Sequence, residues 1–425
     1  MSESRHGQGA ALASITTLFF AWGFITVTVD PLIATLKAIY HLSYAEVMLT
    51  QFAFFMAYGV VSLPAAALVA RLGYPRAIVS ALAIMIAGCL CIPIATQADT
   101  FMIVLVAMFV IASGITILQV AANPLAAQLG PVESSHFRLT LSQAFNSLGT
   151  TLAPYLASSI MLAGGMFAVQ SGAEVTAQQR TESLRHIDYA FLIIAGLIAL
   201  LALFIWSVRA RLTRATPTAA PGGRAALSEA LASRWALLGA LAIFLYVGSE
   251  VSIGSTMTNF LHRDDVFGVP LERAGKLLSL YWGGAMVGRF IGSALLRRVS
   301  AGLLLAATAA IAALLCLTVS QAAGATAGWA ALSIGLFNSI MFPVIFTLTL
   351  ERSTASHAAT SGLLCMAIVG GAVLPLIVGQ IADHAGLHAA YLVPLLGYAC
   401  ISSFGFAAAR VRVASLDAAL PGAGH

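Results

Sequence analysis

Long apolar runs broken by short polar stretches recur from one end of this chain to the other. A helix that crosses a bilayer needs about 20 mostly apolar residues. Runs of that kind fall at 11–36, 45–70, 75–97, 99–127, 138–165, 188–208, 235–261, 272–296, 299–320, 326–350, 358–383 and 386–409, which predicts twelve spans. Very short polar breaks near 88–100 and 318–328 predict tight turns there. The first run lacks a basic lead-in and a small-residue cleavage site, so it reads as a retained span rather than a signal peptide.

The longest polar break, 209–234, is rich in Arg, Ala and Thr and holds Pro217, Pro221, Gly222 and Gly223. It reads as a linker with one short interfacial helix, dividing the chain into a first bundle (1–208) and a second (235–425). The halves echo each other. Gly149 precedes Pro154 by five in the fifth span, as Gly370 precedes Pro375 in the eleventh, and Pro124 late in the fourth matches Pro343 late in the tenth. Arg71 and Arg297 each follow the second span of their half. The predicted fold is therefore an all-α membrane protein of two six-helix bundles related by an internal repeat.

An even number of spans puts both termini on one side, and the Lys/Arg bias says which. Of the 21 Lys and Arg residues, six (Lys37, Arg180, Arg185, Arg263, Arg273 and Lys276) fall on one face. The other fifteen, counting Arg289, fall on the face that carries the 209–234 loop. That face is expected to be cytoplasmic, with the chain in a bacterial-type inner membrane.

Composition agrees. The chain is 60% hydrophobic and 9% charged, against roughly 25% charged in soluble domains. A folded soluble chain still exposes about 25–40% of its unfolded surface, so no water-soluble fold hides this much apolar area. A net charge of +5 spread over inter-span loops is a topology signal, not a nucleic-acid-binding face. Cys89, Cys91, Cys316, Cys365 and Cys400 all lie in apolar runs, with neither disulfide nor metal-ligand spacing. There is no G-x-x-x-x-G-K-[ST] loop for an ATP-driven pump and no H-E-x-x-H or G-x-S-x-G. No cofactor or metal is expected, and the chain is not read as an enzyme.

Polar groups at membrane depth are costly and mark function by default. Asp30, in AWGFITVTVDPLIATLK, lies two-thirds along the first span, and Glu250, in FLYVGSEVSIGS, lies midway along the seventh. A carboxyl that can load and release a proton near a cargo is what a proton symporter requires, so both are candidate coupling groups. Gln119 and Asn123, four apart in the fourth span, share a helix face, and Gln143 and Asn146, three apart in the fifth, do likewise. With Asn338 in the tenth span they offer paired donors and acceptors suited to sugar hydroxyls. Trp22, Tyr281 and Trp282 could supply flat faces for a pyranose ring. The competing role for each amide is interhelical glue, worth about 0.6 kcal/mol.

FFAWGFITVTVD, AEVMLTQFAFFMAYGVVSLPAA, ITILQVAANP, HFRLTLSQAFNSLGTTLAP, FLYVGSEVSIG and FNSIMFPVIFTLTL give the chain a resemblance, over nearly all spans, to the fucose:proton symporter family of the major facilitator superfamily, within its glucose/galactose transporter branch. The resemblance implies a two-bundle fold, a central sugar cavity and alternating access. It implies that Asp30 couples protons, that Gln143 and Asn146 line the cavity, and that Gln119 replaces a protonatable glutamate of the fucose carriers. Gln119 does not titrate, so coupling rests on Asp30 alone or with Glu250. Thr26 and Val27 stand where fucose carriers have asparagines, which argues against fucose itself. The second-to-third-span loop reads ALVARLGYPR, with Ala70 in place of the usual aspartate. The expected activity is import of a hexose-type sugar, glucose or galactose ahead of N-acetylglucosamine, by proton symport in a monomer whose other partners are the sugar, the proton and the bilayer. Sodium coupling is the alternative, and a drug or metabolite exporter of the same fold is the more distant one.

Overall fold

Inside a bilayer no water is available to backbone N–H and C=O groups, so an apolar chain satisfies them within helices. The computed structural model describes residues 9–25, 44–98, 100–161, 177–215 and 227–411, and these are almost wholly helical. The spans are α1 (Gly9–Ile25), α2 (Tyr44–Leu72), α3 (Tyr74–Gln97), α4 (Phe101–Gln128), α5 (Ser135–Met161) and α6 (Ala177–Ala215) in the first half. In the second half they are α7 (Arg234–His262), α8 (Leu271–Leu295), α9 (Ala301–Gln321), α10 (Gly324–Asn338 and Met341–Arg352), α11 (His357–Met366, a 3₁₀ turn Ala367–Val369, then Gly370–Ala390) and α12 (Leu392–Arg410). Among the described residues nine helices are long and apolar enough to cross a membrane. Their outer faces are apolar, as on α6, where Leu192, Leu197, Leu200 and Leu203 are exposed.

The turns expected near 88–100 and 318–328 are short, running from Gln97 to Phe101 and from Gln321 to Gly324. The sixth helix departs from the apolar pattern at both ends, beginning at Ala177 rather than 188. It runs on to Ala215, since Arg209, Arg211 and Arg214 are good helix formers; Arg211 and Arg214 are exposed, and Arg209 lies over the Trp206 ring at 4.0 Å. Gly386 takes φ 86°, a left-handed value that glycine adopts without a Cβ clash, and kinks the stretch Gly370–Ala390 where the last span is expected to begin; the regular helix of that span is Leu392–Arg410. Of the linker, a six-residue helix, Leu227–Ala232, is described. It docks on the α10–α11 turn, where Glu229 accepts from the Ser356 amide at 2.5 Å and the Ser233 hydroxyl accepts from the amides of Thr354 and Ala236.

In the first half α3 packs on α4 and α6, and α2 packs on α4. In the second, α9 packs on α12, α8 on α10, and α7 on α11 and α12. The repeated glycines mark close approaches. A Cβ at Gly149 of α5 would overlap the Phe20 carbonyl of α1, and a Cβ at Gly370 of α11 would overlap the Phe244 carbonyl of α7. Small residues admit such backbone contact between membrane helices.

The halves meet along α2 against the first part of α11 and along α5 against α8, with α4 and the second part of α10 completing the seam. The repeated prolines shape that seam. Pro124 has no N–H for the carbonyl four residues back, and that carbonyl, Val120 O, instead accepts from Ser361 Oγ of α11 at 2.9 Å. Pro343 leaves the Ser339 carbonyl in the same position, and Arg289 Nε donates to it at 3.0 Å. At the end of the molecule that carries the linker, Glu351 of α10 accepts from Ser135 Oγ at 2.5 Å and lies 3.3 Å from His136 Nε2, both residues of α5. The His136 Nδ1 is 2.6 Å from Thr347 Oγ1.

Candidate functional site

The amides predicted on α4 and α5 are gathered inside the first bundle. Gln143 Nε2 donates to Asn123 Oδ1 at 3.2 Å, and Gln119 Nε2 meets the Tyr58 hydroxyl at 2.5 Å. Gln119, Asn123 and Gln143 are all buried. Asn146, a turn from Gln143 on α5, donates to the Phe19 carbonyl of α1 at 2.9 Å, close to the backbone crossing at Gly149. Asp30 lies outside the described residues.

The second bundle builds a matching core. Asn338 Nδ2 donates to the hydroxyls of Tyr281 at 2.9 Å and Tyr398 at 3.1 Å. A tyrosine–amide bond thus joins α2 to α4 in one half (Tyr58–Gln119) and α8 to α10 in the other (Tyr281–Asn338). Each core keeps unspent capacity, for the buried Asn123 Nδ2 and Asn338 Oδ1 have no protein partner among the described residues. A buried polar group without a partner costs about 1–3 kcal/mol, so such atoms persist where a ligand or water completes them. Of the aromatic candidates, Tyr281 is wholly buried, Trp22 is buried with Phe19 edge-on at 5.5 Å, and Trp282 is exposed with its ring edge-on to Tyr281 at 5.0 Å.

Glu250 is not alone at membrane depth. Its carboxylate accepts from the Tyr246 hydroxyl at 2.7 Å and lies 3.7 Å from Arg289 NH2. Arg289 also donates through Nε to Ser339 O and through NH1 to Ser147 Oγ of α5. The sequence counts Arg289 only as a positive charge near a span end; the structure puts it on the seam between the halves. Sequence reasoning misses Arg289, Tyr58, Tyr246 and Tyr398 as site residues. The signals it could have used are an arginine several residues inside the end of an apolar run and tyrosines deep in spans, where each hydroxyl needs a partner.

Arg138, another counted charge, is also buried. Its guanidinium caps α4 by donating to the carbonyls of Ala126 and Ala127, and to Pro131 O at 2.7 Å in the following turn. Two open clefts of about 570 and 600 Å³ lie at the linker end beside Gly9 and Leu12 and contain none of the predicted site residues. Among the described residues no group of three or more His, Cys, Asp or Glu could hold a metal ion.

With helices and polar cores placed, comparison with known proteins decides the family. The model of the Major Facilitator Superfamily matches residues 12–364. The chain belongs to this superfamily. The superfamily fold carries twelve spans in two six-helix bundles, and its members are transport proteins, not enzymes. Over 409 residues the chain is 42% identical to a glucose/galactose transporter of Brucella abortus, covering 95% of each chain. It is 31% identical to the L-fucose-proton symporter of Escherichia coli, covering 92% of this chain and 91% of that one. A crystal structure of the transporter FucP in the outward conformation superposes with a TM-score of 0.85 at 27% identity, over 95% of this chain and 100% of that one.

Proposed function

We propose that the chain imports a hexose-type sugar, glucose or galactose ahead of N-acetylglucosamine, by proton symport with alternating access. Residues 1–208 and 235–425 form the bundles that move, and 209–234 links them on the cytoplasmic side of an inner membrane. The observation that carries the reading is the pair of buried amide–tyrosine cores, one per bundle, each with an unspent hydrogen-bonding atom. A polyol presents paired donors and acceptors that complete such a set, whereas an exported drug calls for a broad aromatic wall. The names of the relatives, a glucose/galactose transporter and an L-fucose-proton symporter, support the same class. The closure between Ser135, His136 and Glu351 then seals the cytoplasmic end, which supports an outward-facing state.

Counterflow of radiolabelled sugars in proteoliposomes against a competitor panel tests this directly. Glucose or galactose should compete best, and Gln143→Ala should raise the half-saturation concentration roughly 5- to 150-fold, the weight of one hydrogen bond in a partly desolvated site. Asn146→Ala should weaken binding as well, with some loosening of α1 because its amide also holds the Phe19 carbonyl. Unchanged half-saturation in both variants would make these amides packing contacts and move the cavity elsewhere.

Orientation has its own check. A cysteine at Thr218, in the linker, should resist a membrane-impermeant thiol reagent in intact cells and react in inside-out vesicles. Labelling from outside would invert the topology.

A further inference from the structure

Arg289 has more partners than a charge near a span end needs, and they belong to three different helices besides its own. Glu250 of α7 lies 3.7 Å away. The Ser339 carbonyl of α10, left without an amide by Pro343, accepts from Nε at 3.0 Å. The third partner, the Ser147 hydroxyl, is on α5 in the opposite bundle. Ser147 is one turn from Gln143 and donates back to the Gln143 carbonyl at 3.1 Å. One side chain therefore touches the carboxylate of the second bundle, the break in α10 next to Asn338, and the helix that presents the amides of the first.

We propose that Arg289 is the positioning residue that ties the two bundles in this conformation. It is anchored by Glu250 and the Ser339 carbonyl and reaches across to Ser147, and that cross-bundle bond breaks in each transport cycle. The inference rests on the alternating-access reading, since a fixed tie would stop the rocking of one bundle against the other. It gives Glu250 the part of a fixed counter-charge and leaves proton carriage to Asp30. Arginine suits the task because its planar fork serves partners in different directions at once, which a lysine ammonium on a flexible stem does not. Tyr246, which donates to the same carboxylate oxygen of Glu250, holds that anchor in place.

Cys365 supplies a readout independent of the cargo. It is wholly buried in the first part of α11, which packs on α2 and α4 across the seam, so it should react with thiol reagents only when the linker end opens. In a chain whose other four cysteines are alanine, reconstituted without sugar, we would measure the rate of N-ethylmaleimide labelling of Cys365. Ser147→Ala deletes the cross-bundle bond, along with the local bond to the Gln143 carbonyl within α5, and should speed labelling about ten-fold, the effect of losing one hydrogen bond to a charged group. Its melting temperature and its half-saturation for sugar should stay at the parent values. Arg289→Lys should speed labelling in the same way, and Ser147→Ala stands alone if the lysine variant does not fold. Labelling within two-fold of the parent in Ser147→Ala would overturn the proposal. Faster labelling accompanied by a matching drop in melting temperature would also overturn it, because the serine would then be a packing residue. Since no sugar is present, either failure leaves the cargo assignment to be judged by counterflow alone.

Discussion

Asp30→Asn should abolish uphill sugar accumulation while leaving sugar-for-sugar exchange in place. The reason is energetic. One positive charge entering per cycle gains about 2.3 kcal/mol at 100 mV, and at about 1.4 kcal/mol per decade that alone sustains a sugar gradient of roughly 40-fold. To draw on it, a carboxyl must be protonated when it faces outward with sugar and must release the proton inside. Asparagine mimics the protonated state permanently, so sugar still loads but no proton leaves with the cycle. Among the residues with a candidate coupling role, Gln119 does not titrate and Glu250 is engaged by Arg289 and Tyr246, which singles out Asp30. The measurement is uptake into proteoliposomes under an imposed pH gradient, with internal pH followed and Na⁺ absent. Concentrative uptake by the asparagine variant would shift the role to Glu250. Wild-type uptake that needs Na⁺ and ignores the pH gradient would replace the proton with sodium.

Why the helices were legible in the sequence and the seam was not is a matter of range. A span is announced locally, by some twenty apolar residues in a row, and several helix ends, such as those at Arg352 and Arg410, fall where charge interrupts the run. The amide pairs on α4 and α5 were legible for the same reason, because spacings of three and four place side chains on one face without knowledge of any other helix. Arg289, His136 and Glu351 depend instead on which helix lies opposite, and composition near a span end gives every arginine the same weight whether it meets solvent or a carboxylate. The proline pair lies between these cases. Pro124 and Pro343 were visible as a repeat, but their consequence, two freed carbonyls met by Ser361 and Arg289, required the partner helices to be in place.

The two cores also explain how a polar interior coexists with an apolar chain. Tyr58, Tyr281 and Tyr398 each bring a large apolar ring and one hydroxyl, and each hydroxyl is bonded to an amide. Packing and polar satisfaction are thereby met by the same side chains, and only a few amide atoms are left for a ligand. In the second bundle the Asn338 amide draws its two tyrosines from helices α8 and α12, so any movement of α10 at its break must carry or break those bonds. On the proposed reading, the site and the moving parts are thus built from one set of contacts.

Gly370→Val should cost the protein its fold, whereas Gly379→Ala, on the same helix, should not. Glycine in a helix normally weakens it by up to about 1 kcal/mol relative to alanine, so sequence alone would favour replacing both. The packing separates them. A Cβ at Gly370 would run into the Phe244 carbonyl, and the facing Gly248 leaves a Cβ only 2.8 Å from the Gly370 carbonyl, so α7 and α11 approach backbone to backbone. Backbone cannot swing aside as a flexible side chain can, and the helices must part. Overpacking of this kind costs about 1–3 kcal/mol and at times more, and parting α7 from α11 also disturbs the helix that holds Glu250. A Cβ added at Gly379 would meet no neighbouring atom within 4 Å, so alanine there adds only helix propensity. Fluorescence-detected size exclusion of detergent extracts, with thermal challenge, separates the outcomes. Gly370→Val should lose most of its monodisperse peak, and Gly379→Ala should match or exceed the parent after heating. A valine variant that survives heating like the parent would mean that α7 and α11 do not meet at this glycine, and the pairing of Gly149 with Phe20 in the other half would need the same re-examination.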